Sequence, residues 1–193
     1  MGRCFTSAGA RLVHSEKDGV QPATAAFEYG RRRRGTGRIM TDSTGEPLTE
    51  LKERWSAAAR AYMNGDRRTY AGLADHAADY LLMPPNGGDP RRGFDGSDNA
   101  VEWTARTFRG GQADVEVFDA YASGDLAVLV AVERQHGTVG ELPIQDWSLR
   151  ITLVFRREGD DWRLVHRHAD PLTRPIDPEL FAAIARGDHA ASP

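Results

Sequence analysis

The sequence is poor in the features that mark secreted and membrane proteins. Its 193 residues include one cysteine, Cys4, so no disulfide can form within the chain. The longest purely apolar run covers residues 126–132, whereas a membrane-spanning helix needs about 20 apolar residues. The N-terminal residues contain no continuous apolar segment of the kind found in secretory signals. We therefore expect a cytoplasmic protein with no membrane partner.

Charge is unevenly distributed along the chain. The formal net charge is −3, but residues 1–40 contain eight Lys or Arg and only three Asp or Glu. The remaining chain is therefore acidic, which argues against nucleic-acid binding. Residues 1–40 show no sustained periodicity and include four arginines at 31–34, so we predict a disordered basic extension. Three alternatives stay open: translation starts at Met40, the arginines bind nucleic acid or an anionic surface, or the segment is an Arg-rich organellar transit peptide.

Apolar periodicity predicts a domain over residues 41–174 and a C-terminal helix and tail over 175–193. The order of elements is helix, helix, short strand, helix and then four antiparallel strands. This order predicts an α+β fold, a cone-shaped curved antiparallel sheet with three N-terminal helices on its concave face. A pocket is expected between helices and sheet. The predicted elements are helices between Thr44 and Asn64, over 67–76 and over 99–108, and strands over 79–83, 115–121, 126–135, 147–155 and 162–169.

The third of these predicted strands, over 126–135, is unusual because the run 126–132 is apolar on both faces of the strand. Such a strand is typical of the centre of a sheet that is covered on both faces. We therefore expect this strand to be buried on both sides.

The C-terminal hairpin carries the most distinctive polar residues. Period-2 alternation over 162–169 predicts that His166 and His168 share a face with Leu164, so both imidazoles should point toward the core. The partner strand carries Arg150 and Thr152, and their face depends on the register of the hairpin. A three-residue loop would place Thr152 opposite His166 and Arg150 opposite His168. A two- or four-residue loop would instead place Leu153 and Ile151 there.

The segments AYMNGD, DYLLMPPNGG and RITLVFRREGDDWRLVHRHADPL resemble the nuclear transport factor 2-like superfamily. The similarity is greatest to its SnoaL-like or ketosteroid-isomerase-like branch and covers about residues 46–172. It implies a cystatin-like α+β cone, commonly dimeric through the outer face of the sheet. Members include isomerases, dehydratases and cyclases. Met83 stands where the ketosteroid isomerases carry their carboxylate base, and Ala58 falls near the position of their oxyanion tyrosine, so steroid isomerisation of that form is not expected.

His166, His168 and Arg150 are the candidate catalytic residues. The histidines could transfer protons near neutral pH, and Arg150 could stabilise a developing negative charge. Two alternatives remain, a structural role for the histidines and a metal site that includes Asp170, although no further ligand has recognisable spacing. The candidate pocket-lining residues, several of which core packing explains equally well, are Tyr80, Met83, Trp103, Phe108, Glu133, Asp146, Trp147, Thr152 and Asp170.

Two functions are therefore expected as alternatives. The first is a pocket for a small, partly apolar organic molecule, with cofactor-free proton-transfer chemistry of the isomerase, dehydratase, cyclase or hydrolase type. The second is a non-catalytic ligand-binding or dimerisation module. In both cases we expect a homodimer through the outer sheet face, with no cofactor and no metal.

Overall fold

The computed structural model describes residues 45–188, so the predicted extension over 1–40 lies outside the described residues. Within this part, no helix is both long and apolar enough to span a membrane. The helices are α1 (Gly45–Met63), α2 (Arg67–Ala74), α3 (Asp98–Thr107) and α4 (Pro178–Arg186). The strands are β1 (His76–Met83), β2 (Arg91–Arg92), β3 (Phe108–Ser123), β4 (Leu126–Val139), β5 (Gln145–Asp146), β6 (Leu149–Glu158) and β7 (Asp161–Pro171).

The sheet confirms the predicted α+β class but is mixed rather than antiparallel. Its order is β2-β1-β7-β6-β4-β3, with β5 paired to β4. The pairs formed by β3, β4, β6 and β7 are antiparallel as predicted, whereas β1 lies parallel to β7. Parallel neighbours need a long connection, and here that connection is the whole chain between β1 and β7. Local periodicity does not report the direction of such a distant pairing.

Helix α1 covers the inner face of the sheet with the predicted apolar stripe. Leu51, Trp55 and Ala58 are fully buried, and they pack in one cluster with inner-face residues such as Leu153 and Phe155. Burying a side chain of this size contributes roughly 1.5–3 kcal/mol. A helix of mixed composition is thereby held against the sheet along one face.

Helix α2 ends earlier than predicted. Asp75 adopts the left-handed conformation with φ 44°, which aspartate tolerates better than most residues, and its backbone N–H donates to the carbonyl of Ala71. Strand β1 therefore starts at His76 instead of 79. His76 was predicted to lie in the helix, and it lies opposite Leu164 of β7 instead.

The inner face is covered, but the outer face of the sheet is open within one chain. In β4 the inner residues Ala127, Leu129 and Ala131 are buried, while Leu126 and Val130 on the outer face are 49% and 37% exposed. The expectation of a strand covered on both faces is therefore wrong at these two residues of the single chain, whereas Val132 of the same outer row is buried.

Strand β3 passes very close to the end of α1 at Gly111. A Cβ atom added at Gly111 would lie 2.6 Å from the Cβ of Met63 and would also collide with the Met63 carbonyl. Gly111 itself lies against Gly137 of β4, where an added Cβ would be 2.9 Å from the Gly111 Cα. Only residues without side chains allow this approach.

We predict that Gly111→Ala lowers the free energy of unfolding by about 1–3 kcal/mol, because the new methyl group overpacks the contact between α1 and β3. Gly72→Ala is the matched control, since nothing lies within 4 Å of the added Cβ in α2. It should raise stability by up to about 1 kcal/mol through helix propensity. Urea unfolding of both variants measures the difference, and equal stabilities would contradict the close packing.

Candidate functional site

A β-bulge in β7 decides which side chains of the C-terminal hairpin face the helices. The turn has two residues, with Gly159 at φ 68°, and it places Phe155 opposite Leu164. The next pair is Val154 with His166, so Val165 is an extra residue in β7. One extra residue exchanges the two faces of the strand beyond it.

The histidines consequently lie on the outer face, and Arg167 lies on the inner one. Arg167 is opposite the fully buried Leu153 and is only 8% exposed. The Nδ1 atom of His166 lies 2.9 Å from the carbonyl oxygen of Leu81, and the side chain of His168 is about half exposed. The prediction that both imidazoles share the face of Leu164 is therefore wrong, because simple alternation fails at the bulge.

Arg150 and Thr152 share the outer face with the histidines, in a register that neither predicted loop gives. Thr152 is opposite His168, and Arg150 is opposite Asp170. The Nη2 atom of Arg150 lies 3.5 Å from Oδ2 of Asp170, and Nε2 of His168 lies 3.7 Å from Oδ1. These side chains are substantially exposed, so their ion pairs are solvated contacts of small energy.

The inner face holds a different group of polar residues, which we call the inner polar cluster: Trp55, Glu133, Gln135 and Arg167. All four are buried, and Glu133 is only 2% exposed. The indole Nε1 of Trp55 donates to Oε2 of Glu133 over 3.1 Å, and the amide of Gln135 donates to Oε1. The Nη2 atom of Arg167 donates to Oε2 over 3.4 Å. The cluster lies where α1 crosses β4 and β7.

Within this cluster the hydrogen bonding of Arg167 is incomplete. Its Nε is buried without a partner, and its one carboxylate contact is long. The guanidinium carbon lies 5.7 Å from the ring centre of Trp55. Burial opposes the charge, but Glu133, Tyr70 and Tyr80 together outweigh it and raise the pKa of the guanidinium. Arg167 is therefore a buried cation with an unfilled donor.

Four aromatic side chains adjoin the cluster and form what we call the aromatic wall: Tyr70, His76, Tyr80 and Phe94. The rings of His76 and Phe94 are stacked, 4.1 Å apart at 12°, and Tyr80 meets His76 edge-on at 4.5 Å. The Tyr70 hydroxyl lies 3.4 Å from Nε2 of His76. Tyr70 also contacts Trp55 edge-on at 6.0 Å, which joins the wall to the cluster.

The ionisation of the wall follows from its burial. Burial, followed by the charges of Arg67 and Arg167, lowers the pKa of His76 to about 4. Burial raises the pKa of Tyr80 to about 12 and raises the pKa of Tyr70 further. At neutral pH the imidazole is therefore neutral and both phenols keep their protons. The site offers hydroxyl donors and one guanidinium to a ligand.

The predicted pocket residues are divided among three places. Tyr80 and Glu133 belong to the inner site, by which we mean the inner polar cluster together with the aromatic wall. Phe108 and Trp147 pack with Met63 in a second, smaller core. The remainder are exposed or lie on the outer face: Met83, Trp103, Asp146, Thr152 and Asp170.

Sequence reasoning missed six members of the inner site: Trp55, Tyr70, His76, Phe94, Gln135 and Arg167. One signal was available for Gln135, because the inner row of β4 changes from alanine and leucine to Glu133 and Gln135. Polar residues on a face that starts as core indicate a buried polar site. No comparable signal existed for Arg167, because the bulge places it inside.

Among the described residues, neither a surface groove nor a group of possible metal ligands provides a second candidate site. A groove of about 190 Å³ lies beside Pro47, Leu48 and Trp162, but the guanidinium that borders it, that of Arg157, is already bonded to Asp125. Within the described residues, no three histidine, cysteine or carboxylate side chains come together as metal ligands.

We predict that His76 makes stability depend on pH. Between about pH 6.5 and about pH 4 the unfolded chain binds a proton at this residue and the native protein does not, so the free energy of unfolding falls as pH falls. The loss between about pH 7.5 and about pH 5 should be about 2 kcal/mol. His76→Gln should reduce the measured loss by that amount.

Urea unfolding of the wild type and the variant at both pH values tests this. Gly72→Ala is the control, because this substitution neither adds nor removes a titratable group and should leave the slope unchanged. A His76→Gln protein with the same slope as the wild type would show that burial does not suppress protonation at this residue.

Comparisons with known proteins agree with this architecture. The family model of the SnoaL-like domain matches residues 51–172. A nuclear transport factor 2-like superfamily protein from Salmonella enterica is 16% identical, with 71% of this chain and 99% of that chain covered and a TM-score of 0.56. An NTF2-like family protein from Streptomyces avermitilis, provisionally called a dehydratase, is 21% identical, with 67% and 98% covered and a TM-score of 0.53.

The hub of S. rosetta CaMKII is 16% identical, with 64% of this chain and 95% of that chain covered and a TM-score of 0.53. At these identities the solved structures show the fold alone. Among proteins of curated function, none matches the chain significantly. The family match spans more than half of the sequence, and the chain belongs to the SnoaL-like domain family and has the fold of nuclear transport factor 2-like proteins.

Proposed function

We propose that this domain binds a small, partly apolar organic molecule between its helices and the inner face of its sheet. The observation that carries the proposal is Arg167, a buried guanidinium whose Nε has no partner. A buried charge is costly unless its hydrogen bonds are satisfied, so native proteins rarely leave such a donor empty outside a functional site.

Arg167 differs from the other buried donor of this kind. Among the described residues, two buried side-chain nitrogen or oxygen atoms have no hydrogen-bond partner, Nε of Arg163 and Nε of Arg167. Arg163 is 39% exposed at its side chain and faces Asp75 and Glu158 at 3.8 and 3.7 Å. Two carboxylates therefore flank Nε of Arg163, whereas the one carboxylate contact of Arg167 is made by Nη2 and leaves its Nε without a partner.

The surroundings of Arg167 suit a molecule with both polar and apolar parts. Trp55 and Tyr80 offer ring surface, and the phenol of Tyr80 keeps its proton at neutral pH. Pockets for small organic molecules combine apolar lining with a few such polar groups.

Binding without catalysis is the better supported alternative. His166, His168 and Arg150 lie across the sheet from the inner polar cluster, so proton transfer by them would need a substrate on the outer face. His76 is in the inner site, but with a pKa of about 4 it is a weak base at neutral pH. His76 is therefore not expected to transfer a proton to or from the ligand at neutral pH.

The test is to purify the full chain, identify co-purifying small molecules by native and denaturing mass spectrometry, and repeat this with two variants. Arg167→Met should lose the bound molecule, because it removes the buried cation while keeping an unbranched apolar side chain. Arg163→Met, on the same strand but the outer face, should retain it. Retention by Arg167→Met would contradict a ligand at this site.

The outer face favours a second function, self-association. Residues of five strands align across it in one row: Tyr121, Val128, Val154, His166 and Leu81. The neighbouring row includes Val130 and Met83, which are 37% and 39% exposed. An exposed row of this kind indicates an interface, and a twofold dimer would cover it with a second copy. The related fold also occurs in a protein named as a hub.

We expect the full chain to sediment as a dimer of 21.3 kDa subunits. Val130→Glu should raise the dimer dissociation constant at least about tenfold, because it buries an unpaired carboxylate at the interface. Thr49→Glu adds the same charge on the exposed side of α1 and should leave the mass unchanged. Analytical ultracentrifugation measures the mass of the wild type and of both variants in solution. A monomeric wild type would rule out this interface.

A further inference from the structure

The inner site contains one buried guanidinium, that of Arg167, and one buried carboxylate, that of Glu133. A second guanidinium, that of Arg67, lies half-buried at its border, where it donates to the carbonyl oxygen of Asp95 and to the hydroxyl of Thr104. Arg67 lies 4.8 Å from the ring centre of Phe94, and its charge acts with that of Arg167 on His76. Tyr70, Tyr80 and His76 are neutral at neutral pH, so they add no charge to the site.

Glu133 does not satisfy Arg167, because its oxygens are held by other donors. The amide of Gln135 occupies Oε1, and the indole of Trp55 shares Oε2 with Arg167. A guanidinium binds a carboxylate best through two parallel N–H···O bonds, from Nε and one Nη or from both Nη atoms. Glu133 gives Arg167 one long contact of 3.4 Å and leaves Nε empty.

We propose that the ligand of the inner site is a small monocarboxylate whose carboxylate binds the free edge of Arg167. This inference rests on the proposed small-molecule site and names its ligand class. A carboxylate offers two acceptor oxygens to this edge and forms charge-assisted hydrogen bonds, which a neutral ligand cannot match. A dianion such as phosphate would place a second negative charge beside the buried Glu133.

The rest of the ligand would contact the aromatic wall. Its apolar part would contact Trp55, whose ring centre lies 5.7 Å from the guanidinium carbon of Arg167, and Tyr80, which meets the stacked pair of His76 and Phe94 edge-on. A carboxylate on an aliphatic or aromatic body of a few carbon atoms therefore fits both the charge and the lining of the site.

The experiment compares three carboxylates with their neutral amides on the full chain at about pH 7.5, where carboxylic acids are ionised. The probes are acetate with acetamide, butanoate with butanamide and benzoate with benzamide, at equal ionic strength set by sodium chloride. Thermal shift and titration calorimetry measure binding. We expect at least one carboxylate to bind about tenfold or more tightly than its amide.

Two variants test whether the preference for a carboxylate over its amide depends on Arg167. Arg167→Lys keeps a buried cation but removes the paired donors, so it should reduce the preference for the carboxylate about tenfold. Arg163→Met should keep the preference of the wild type. If Arg167→Lys does not fold, Glu133→Gln gives a second measurement. The carboxylate that binds the wild type most tightly should raise the melting temperature of Glu133→Gln more than that of the wild type, because it replaces the negative charge that the substitution removes.

The outcomes separate this inference from the proposed function. An amide that binds as tightly as its carboxylate would overturn the monocarboxylate inference and leave the small-molecule site standing. A co-purifying neutral ligand that depends on Arg167 would do the same. If no probe binds and no molecule co-purifies, both the inference and the proposed function fail. An equal carboxylate preference in Arg167→Lys and the wild type would also overturn the inference.

Discussion

A single extra residue in β7, Val165, determines the chemistry of both faces of this sheet. Before it, Leu164 packs opposite Phe155 in the core, and after it Arg167 takes the inward position opposite Leu153. Without the bulge His166 and His168 would lie under α1, and Arg167 would face solvent. The bulge therefore puts a permanent cation, instead of titratable imidazoles, in the interior.

The placement of a guanidinium in the interior constrains its neighbours. Arg167 is stabilised by Glu133, which in turn accepts hydrogen bonds from Trp55 of α1 and Gln135 of β4. One network thus links a helix to two strands, and removing either charge would leave the other buried without its partner. The same positive field, added to burial, keeps His76 neutral. Packing and electrostatics in this region cannot be separated.

The two faces of the sheet suit different tasks. The inner face is closed by α1 and combines a charged network with aromatic rings, which suits recognition of a small molecule. The outer face presents aligned apolar residues and histidines with no covering element among residues 45–188, which suits contact with another protein surface. The fold alone decides neither task, since related folds carry unrelated activities. The features that bear on function are therefore Arg167 on the inner face and the aligned rows of the outer face.

The sequence by itself determined the elements whose periodicity is local. The stripe of Leu51, Trp55 and Ala58 gave α1, and alternation gave the strands of the C-terminal hairpin, because both patterns repeat within a few residues. It also identified Glu133 and Tyr80 as candidates for the inner site. Helix α2 ended too late in the prediction because a left-handed Asp75 leaves no clear signal in the residue types.

Only the tertiary structure decided the parallel pairing of β1 with β7 and the bulge at Val165. Both depend on which distant strand lies alongside and on how Leu164 and Arg167 fit against α1, and these are long-range packing energies that no local pattern contains. The residue types of β7 were therefore readable from the sequence. The sequence did not show which of these residues would face the interior, because one inserted residue reverses the alternation on which that prediction depends.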